Sequence, residues 1–174
     1  RTTADWGDRM FLNEAYNRRH PKRLDPSQYR IPEQPVGIVL CTKPDRPVLI
    51  ARDIPSRVRD ALEFNAPNNG VELIAWSIMP DHLHVAAQVG RDGGDILKFI
   101  NGFKKRTGRT IREAGIAGPI WQRSFWDRHL RPKEPLSQLV QYVAWNPVEE
   151  GLCAEWHLWR HTWLDDDPRR YGLA

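Results

Sequence analysis

Two apolar runs separated by two residues constrain the fold of this 174-residue chain more than any other feature. Residues 71–79 read VELIAWSIM and residues 82–89 read HLHVAAQV, and only Pro80 and Asp81 lie between them. Both runs are rich in strand-forming residues, and a Pro-Asp pair favours a turn. The pattern therefore predicts a β-hairpin.

Further helices and strands are predicted on both sides of this hairpin. Strands are expected at residues 36–42 and 125–130, and helices at about 55–65, at 96–114 and from 134 or 135 to about 146. The order is strand, helix, strand, strand, helix, strand, helix. It indicates an α+β fold of the ferredoxin-like or RRM-like kind: an antiparallel sheet with helices on one face, plus a C-terminal helix that carries Tyr142.

Length and composition predict one domain with a flanking segment at each end. Residues 1–35 are polar and contain four prolines, which predicts an irregular arm with a short helix near residues 11–16. Residues 36–152 form the domain itself. Residues 153–174 are expected to be a tail, in which three tryptophans at spacings of three and four predict one helical turn or irregular packing onto the core.

Membrane and secreted proteins are disfavoured by the composition. No apolar run approaches the roughly 20 residues that span a bilayer. The first residues, RTTADWGDRMF, do not resemble a signal peptide. Two cysteines, Cys41 and Cys153, are too few for a disulfide framework and match no metal motif. We therefore expect a cytoplasmic protein without membrane contact.

Positive charge is concentrated in one segment. The net charge is +4, but residues 98–133 contain ten basic and two acidic residues, a local net charge of +8. Such a segment is either a solvated helix face or a path for a polyanion such as nucleic acid. Trp121, Phe125 and Trp126 are interleaved with the basic residues, either as platforms for unpaired bases or as core packing.

His82 and His84, in the sequence PDHLHV, are candidate metal ligands. Residues two apart in a strand point to the same side, so both imidazoles would share one face while Leu83 and Val85 pack on helices. Two imidazoles about 6.6 Å apart along a strand can converge on one ion. The alternative is two half-exposed histidines on the solvent side of the sheet.

The last helix offers a further ligand and a nucleophile. Tyr142 and Asn146 are spaced i, i+4 at the edge of an apolar stripe, so their side chains lie together. Pro147 disfavours helical backbone at Asn146, which predicts that the helix ends there. Tyr142 is either half-buried packing or a reactive phenol, and Asn146 is either a helix cap or an amide ligand.

These groups together would suit phosphoryl chemistry. A free phenol is a weak nucleophile with a pKa near 10. A divalent ion held by the histidines would polarise a phosphodiester and stabilise its developing charge. Attack by Tyr142 would leave a covalent phosphotyrosine and a free hydroxyl, which suits strand transfer better than hydrolysis.

Three motifs, in order, resemble one known family. PDHLH at residues 80–84 resembles the His-hydrophobe-His (HUH) motif of the IS200-like single-tyrosine transposases. YVAWNPVEEGL at 142–152 and WQRSFW at 121–126 resemble two signatures of one branch, the tyrosine transposases associated with repetitive extragenic palindromes. The resemblance covers about residues 36–152, which it identifies as the catalytic domain.

The resemblance implies a metal-dependent single-strand DNA endonuclease and strand transferase acting beside palindromic hairpins. Tyr142 would be the nucleophile, and His82, His84 and Asn146 would be the ligands of Mg²⁺ or Mn²⁺. In the predicted fold the +8 segment would border this site. Two alternatives are a catalytically silent hairpin-binding protein and a metal phosphodiesterase that uses water. Whether the chain acts as a monomer or a homodimer stays open. The predicted DNA contacts are Lys104, Lys105, Arg106, Arg109, Arg123, Trp126, Arg128 and, in the arm, Arg18, Arg19 and Arg23.

Overall fold

A five-stranded antiparallel sheet organises the domain. The computed structural model describes residues 25–43 and 46–173, so the predicted helix near residues 11–16 lies outside the described residues. The strands lie in the order β4-β1-β3-β2-β5, and all neighbours are antiparallel. The first four have the ferredoxin-like order, which confirms the predicted fold class. The strands are β1 (Val36–Cys41), β2 (Val71–Ile78), β3 (His82–Val89), β4 (Trp126–His129) and β5 (Thr162–Leu164).

The predicted hairpin is present as β2 and β3. Ser77 pairs with His84 and Ile78 with Leu83, and the Met79 amide donates to the His82 carbonyl at 2.9 Å to close the turn. The register shifts at a bulge between Leu73 and Ala75. Alternation along β3 then sends neighbouring side chains to opposite faces, as the sequence predicted.

One face of the sheet is covered by two helices, and we call it the helix face. The helices are α1 (Ile54–Asn65) and α2 (Ile96–Glu113), close to their predicted bounds. Asp95 caps α2, because its side chain accepts a hydrogen bond from the Lys98 amide at 3.0 Å. Leu83 and Val85 of β3 pack into the same apolar cluster as the buried sides of both helices. None of the helices among the described residues is both long and apolar enough to cross a membrane.

The opposite face is covered by the third helix, α3 (Leu136–Glu149), and we call it the histidine face because His82 and His84 belong to it. Leu139, Val140 and Val143 of α3 pack into one cluster with Ala86 of β3. The helix approaches so closely that a Cβ atom on Gly37 would lie 2.9 Å from the Leu139 side chain.

The predicted end of the last helix at Asn146 is wrong. The helix passes through Pro147 and ends at Glu149. Gly151 adopts φ 70°, its amide donates to the Val148 carbonyl, and the next amide donates to the Pro147 carbonyl. This pair of bonds is a Schellman motif, which satisfies the last carbonyls of the helix. Proline therefore removes one hydrogen bond from the final turn without ending the helix.

Residues 153–173 pack onto the domain more extensively than a tail would. Their short strand β5, which was not predicted, pairs with β2 and extends the sheet by one edge strand. A short 3₁₀ turn, Trp156–Leu158, precedes it and agrees with the predicted single helical turn. Tyr171 and Leu173 are buried in the cluster beneath α3. The tail thereby helps to hold the tyrosine helix on the sheet.

Candidate active site

His82 and His84 lie in the middle of the sheet, on the side that α3 covers. Their ring centroids are 4.8 Å apart. Cys41 of β1 is the register partner of His82, and Ser77 of β2 is that of His84, so these smaller side chains flank the imidazoles. The predicted sharing of one face by the two histidines is present. The alternative of two half-exposed histidines on a solvent face is excluded, because both are buried.

His84 is a deeply buried base. It is 1% exposed, and neither ring nitrogen makes a hydrogen bond of normal geometry with any described residue. Burial, reinforced by the adjacent His82 ring, holds the pKa of His84 well below its usual range, and the Asn146 side chain only partly opposes this. The imidazole is therefore neutral near pH 7, which is the form that binds metal ions.

His82 is oriented by a carboxylate at the hairpin turn. Its Nδ1 lies 2.7 Å from Asp81 Oδ1. Because a carboxylate only accepts, Nδ1 carries a proton, and Nε2 is the ring nitrogen left to bind a metal ion. That Nε2 atom is buried and 3.7 Å from Glu150 Oε1, too far for a hydrogen bond. Carboxylates commonly orient metal-binding histidines in this way.

Tyr142 and Asn146 project from α3 toward the histidines of the same chain. The Tyr142 ring centroid lies 5.3 Å from that of His84, and the two rings are nearly perpendicular. Asn146 is 2% exposed, and its Nδ2 donates to the Tyr142 carbonyl at 3.2 Å. Burial raises the pKa of Tyr142 above its ordinary value, and hydrogen bonding to Asn146 opposes the shift. A buried phenol of this kind stays protonated at neutral pH.

The donor set suits a small divalent ion only if an amide takes part. Among the described residues no three His, Cys, Asp or Glu side chains are grouped as a metal site. His82 Nε2 and the ring of His84 supply two nitrogen ligands without hydrogen-bond partners among the described residues. The Asn146 amide nitrogen donates a hydrogen bond to the Tyr142 carbonyl. The atom of this side chain that would serve as the oxygen ligand of Mg²⁺ or Mn²⁺ is therefore Oδ1. The residues therefore fit the group that the resemblance implies.

The predicted DNA contacts divide between the two sides of the sheet. Trp126 and Arg128 of β4 pair with Val39 and Gly37, which places them on the histidine face, where Arg128 contacts Glu134. Arg123 is exposed in the loop before β4, and Lys104 donates to the backbone carbonyls of that loop, at residues 122 and 124. Arg18, Arg19 and Arg23 lie outside the described residues.

The expectation that the whole +8 segment borders the active site is wrong. Lys105, Arg106 and Arg109 are exposed on α2, which packs on the helix face. Arg106 stacks over the Phe64 ring at 3.9 Å, and Arg109 pairs with Glu113 at 2.8 Å. The sheet separates these side chains from the histidines, because the buried stripe of α2 dictates where its polar side points.

Glu150 is the site residue that the sequence interpretation missed. It follows Tyr142 and Asn146 at the same spacing of four and is the cap residue at the end of α3, so its carboxylate lies near His82, with Oε1 3.7 Å from Nε2. Had the sequence interpretation used Gly151 rather than Pro147 as the signal for the end of the helix, it would have placed Glu150 beside the other two residues. The sequence interpretation gave Asp81 only the role of a turn residue, and its 2.7 Å contact with His82 shows that it also orients this histidine.

Comparison with known families decides the classification. The family model described as "Transposase IS200 like" matches residues 33–145, more than half of the chain. The chain belongs to the IS200-like transposase family. The matched span contains His82, His84 and Tyr142 and ends one residue before Asn146. The resemblance seen in the three motifs is confirmed, and with it the assignment of this transposase to the enzymes that act on DNA.

Individual relatives of this IS200-like transposase agree with the branch that the motifs indicated. A REP-associated tyrosine transposase of Escherichia coli K12 is 25% identical over 57% of this chain and 58% of its own. A Haemophilus influenzae protein provisionally named in the same way is 26% identical over 72% of this chain and 77% of its own. A solved structure of a REP-associated tyrosine transposase bound to a REP hairpin matches the fold with a TM-score of 0.70, at 21% identity over 90% of this chain and 88% of that one.

Proposed function

We propose that this transposase is a metal-dependent enzyme that nicks and rejoins single-stranded DNA through a covalent bond to Tyr142. The observation that carries the proposal is the meeting of a tyrosine, two imidazoles and an amide on one buried face. The ring nitrogens of His84 are buried and lack hydrogen bonds among the described residues, which costs stability without contributing to the packing of the core. Such orphaned polar groups are expected where a ligand completes the arrangement.

In this proposal His82, His84 and Asn146 hold a Mg²⁺ or Mn²⁺ ion. When bound, the ion would polarise the scissile phosphodiester and neutralise the charge that develops on it. Asp81 keeps the His82 ring in the tautomer that presents Nε2. The amide oxygen of Asn146 would be the ligand, and its amide nitrogen donates to the Tyr142 carbonyl at 3.2 Å, which holds the side chain in place.

Tyr142 supplies the nucleophile. Its phenol oxygen forms a bond to phosphorus as the bond to the leaving oxygen breaks, and the phenol proton leaves while the departing oxygen gains one. The product is a phosphotyrosine plus a strand with a free hydroxyl, so another hydroxyl can reverse the step and rejoin DNA. Burial raises the pKa of Tyr142, so the phenol is unreactive until substrate and ion are in place.

Hairpin or single-stranded DNA is the proposed substrate. Trp126 and Arg128 lie on the same face as the histidines, with Arg123 in the adjoining loop. Lys105, Arg106 and Arg109 would contact DNA that continues around the helix face, and Lys104 would act through the loop it holds. The similarity to a hairpin-bound transposase structure supports the hairpin as the recognised form.

Trapping of a covalent adduct tests this function. Labelled single-stranded DNA carrying a palindrome and its flanks is incubated with Mn²⁺ or with EDTA, then run on a denaturing gel. We expect an adduct with the wild type in Mn²⁺ and none with Tyr142→Phe or in EDTA. Tyr171→Phe is the matched control, because Tyr171 also supports α3 but donates its hydroxyl to Asp165 and should retain the adduct.

Two other outcomes would replace the proposal. Cleavage by Tyr142→Phe without an adduct would indicate a phosphodiesterase that uses water. Hairpin binding by the wild type without cleavage in either Mg²⁺ or Mn²⁺ would indicate a silent DNA-binding protein.

A further inference from the structure

A cavity on the helix face, near the β5 edge, is lined mostly by polar and charged side chains, unlike an apolar packing void. Its volume is about 290 Å³. Its floor is formed by Trp76 and Ile78, which belong to the helix-face cluster, whereas Ser77 between them faces His84. The cavity is therefore separated from the candidate active site by the thickness of the sheet. Its rim comes from the start of α1 and from the segment before β5.

The rim carries unbalanced positive charge. Arg52, Arg59 and Arg160 line the cavity, and Asp53 is the one carboxylate among the lining residues. Asp53 is already bound by Arg57, at 2.7 Å. Arg59 lies 3.6 Å from Asp60 and 3.8 Å from Glu63. Arg160 donates to His161 Nε2 at 3.3 Å, but neither Arg52 nor Arg160 forms an ion pair with a described residue. Guanidinium groups gathered around a concave surface are well suited to bind phosphate.

An aromatic platform adjoins these arginines. Trp163 of β5 stacks on Trp76 with centroids 6.1 Å apart and planes 16° apart, yet it stays 40% exposed. A large exposed indole beside a basic cavity is the combination that binds unpaired nucleotides, with phosphate on the arginines and a base on the ring. An acidic peptide would satisfy the arginines but would leave the indole without a partner.

We propose that this cavity binds a nucleotide unit of single-stranded nucleic acid, its phosphate held by Arg52 and Arg160 and its base stacked on Trp163. This site goes beyond the proposed nicking function, because it lies on the other face of the sheet and needs no metal. Burial, together with Arg160, lowers the pKa of the adjacent His161, so the positive charge of the cavity rests on arginines and persists across the neutral pH range.

Binding of a labelled oligothymidylate, which forms no hairpin, tests the proposal by fluorescence anisotropy. The full chain is used in EDTA, so that cleavage cannot contribute, and Tyr142→Phe should bind like the wild type. We expect Arg52→Ala and Arg160→Ala each to reduce the slope of log affinity against log salt by about 0.7. Trp163→Ala should weaken binding at least about fivefold, whereas Trp163→Phe should retain most of it.

Arg91→Ala is the matched charge control. Arg91 is 83% exposed and follows the far end of β3, so its loss removes one positive charge away from the cavity. Affinity and salt slopes of the Arg52 and Arg160 variants that equal those of Arg91→Ala would overturn the proposal. Equal competition by thymidine monophosphate would reassign the cavity to a free nucleotide, and arginine-dependent binding of polyglutamate in place of the oligonucleotide would reassign it to an acidic protein partner.

Discussion

The two faces of the sheet are built on opposite principles, although the same strand supplies both. On the helix face Leu83 and Val85 pack into a continuous apolar core. There the buried polar groups of Thr107 and Trp121 bond to each other at 2.8 Å. On the histidine face His82 Nε2 and both ring nitrogens of His84 are buried without a hydrogen bond to any described residue. His129 on the helix face also has unsatisfied ring nitrogens, but among the described residues two such imidazoles lie side by side only on the histidine face, where a bound ligand would offset their cost.

The largest expected effect separates activity from stability on the histidine face. Leucine at position 84 fills a similar volume without an unsatisfied nitrogen, so His84→Leu should leave the free energy of unfolding unchanged or higher. Covalent adduct formation should fall by at least about 10²-fold, the loss typical of a removed electrostatic stabiliser. Urea unfolding and adduct trapping measure the two quantities. A marked loss of stability would mean that His84 is a structural residue.

The adjacent residue should behave in the opposite way. Leu83 is fully buried on the helix face, so Leu83→Ala should lower the free energy of unfolding by about 2–5 kcal/mol. Adduct formation per folded molecule should change little, because the histidines remain on the other side. Equal losses of stability for the variants at positions 83 and 84 would contradict the division between the faces.

A smaller effect is expected at the hairpin turn. Asp81→Asn removes the carboxylate that orients His82, which should weaken Mn²⁺ binding by about 10- to 100-fold. Stability should be nearly unchanged, because Asp81 is exposed. Calorimetric titration with Mn²⁺ measures the affinity, and Asp92→Asn, in another exposed loop, is the control. Identical affinities for the two variants would remove Asp81 from the site.

The smallest effect concerns pH and the helix face. His129 pairs with Val36, and its ring lies 5.9 Å from that of Tyr29. Burial lowers the pKa of His129, so the unfolded chain binds the proton more readily than the folded protein. The free energy of unfolding should therefore carry no penalty from His129 above the unfolded pKa of about 6.5, and it should decline as the pH falls below that value. Urea unfolding measures this. Between about pH 8 and pH 5 the free energy of unfolding should fall less for His129→Phe than for the wild type. Parallel losses would show that His129 does not contribute.

Much of this arrangement was predictable because it depends on local geometry. Alternation along a strand places His82 and His84 on one side whatever surrounds them. Spacing of four along a helix likewise brings Tyr142 and Asn146 together. The apolar stripe of α2 and its cap at Asp95 were readable for the same reason.

Other features were not predictable because they depend on contacts distant in sequence. Strand β5 has only three residues, and it forms because β2 offers an unpaired edge. Lys104 is a basic residue like its neighbours, yet the loop before β4 returns to meet its ammonium group. The continuation of α3 beyond Asn146 depends on Gly151, a signal that was present but outweighed by Pro147.

The sequence by itself determined which residues are neighbours within each element, and therefore the histidine pair, the tyrosine with its amide, and the segment of positive charge. Only the tertiary structure decided which face α3 covers, and hence that tyrosine and histidines of one chain meet. It also decided that the basic side of α2 points away from them. The physical reason is that periodicity depends on backbone geometry alone, whereas docking depends on which apolar surfaces bury each other best.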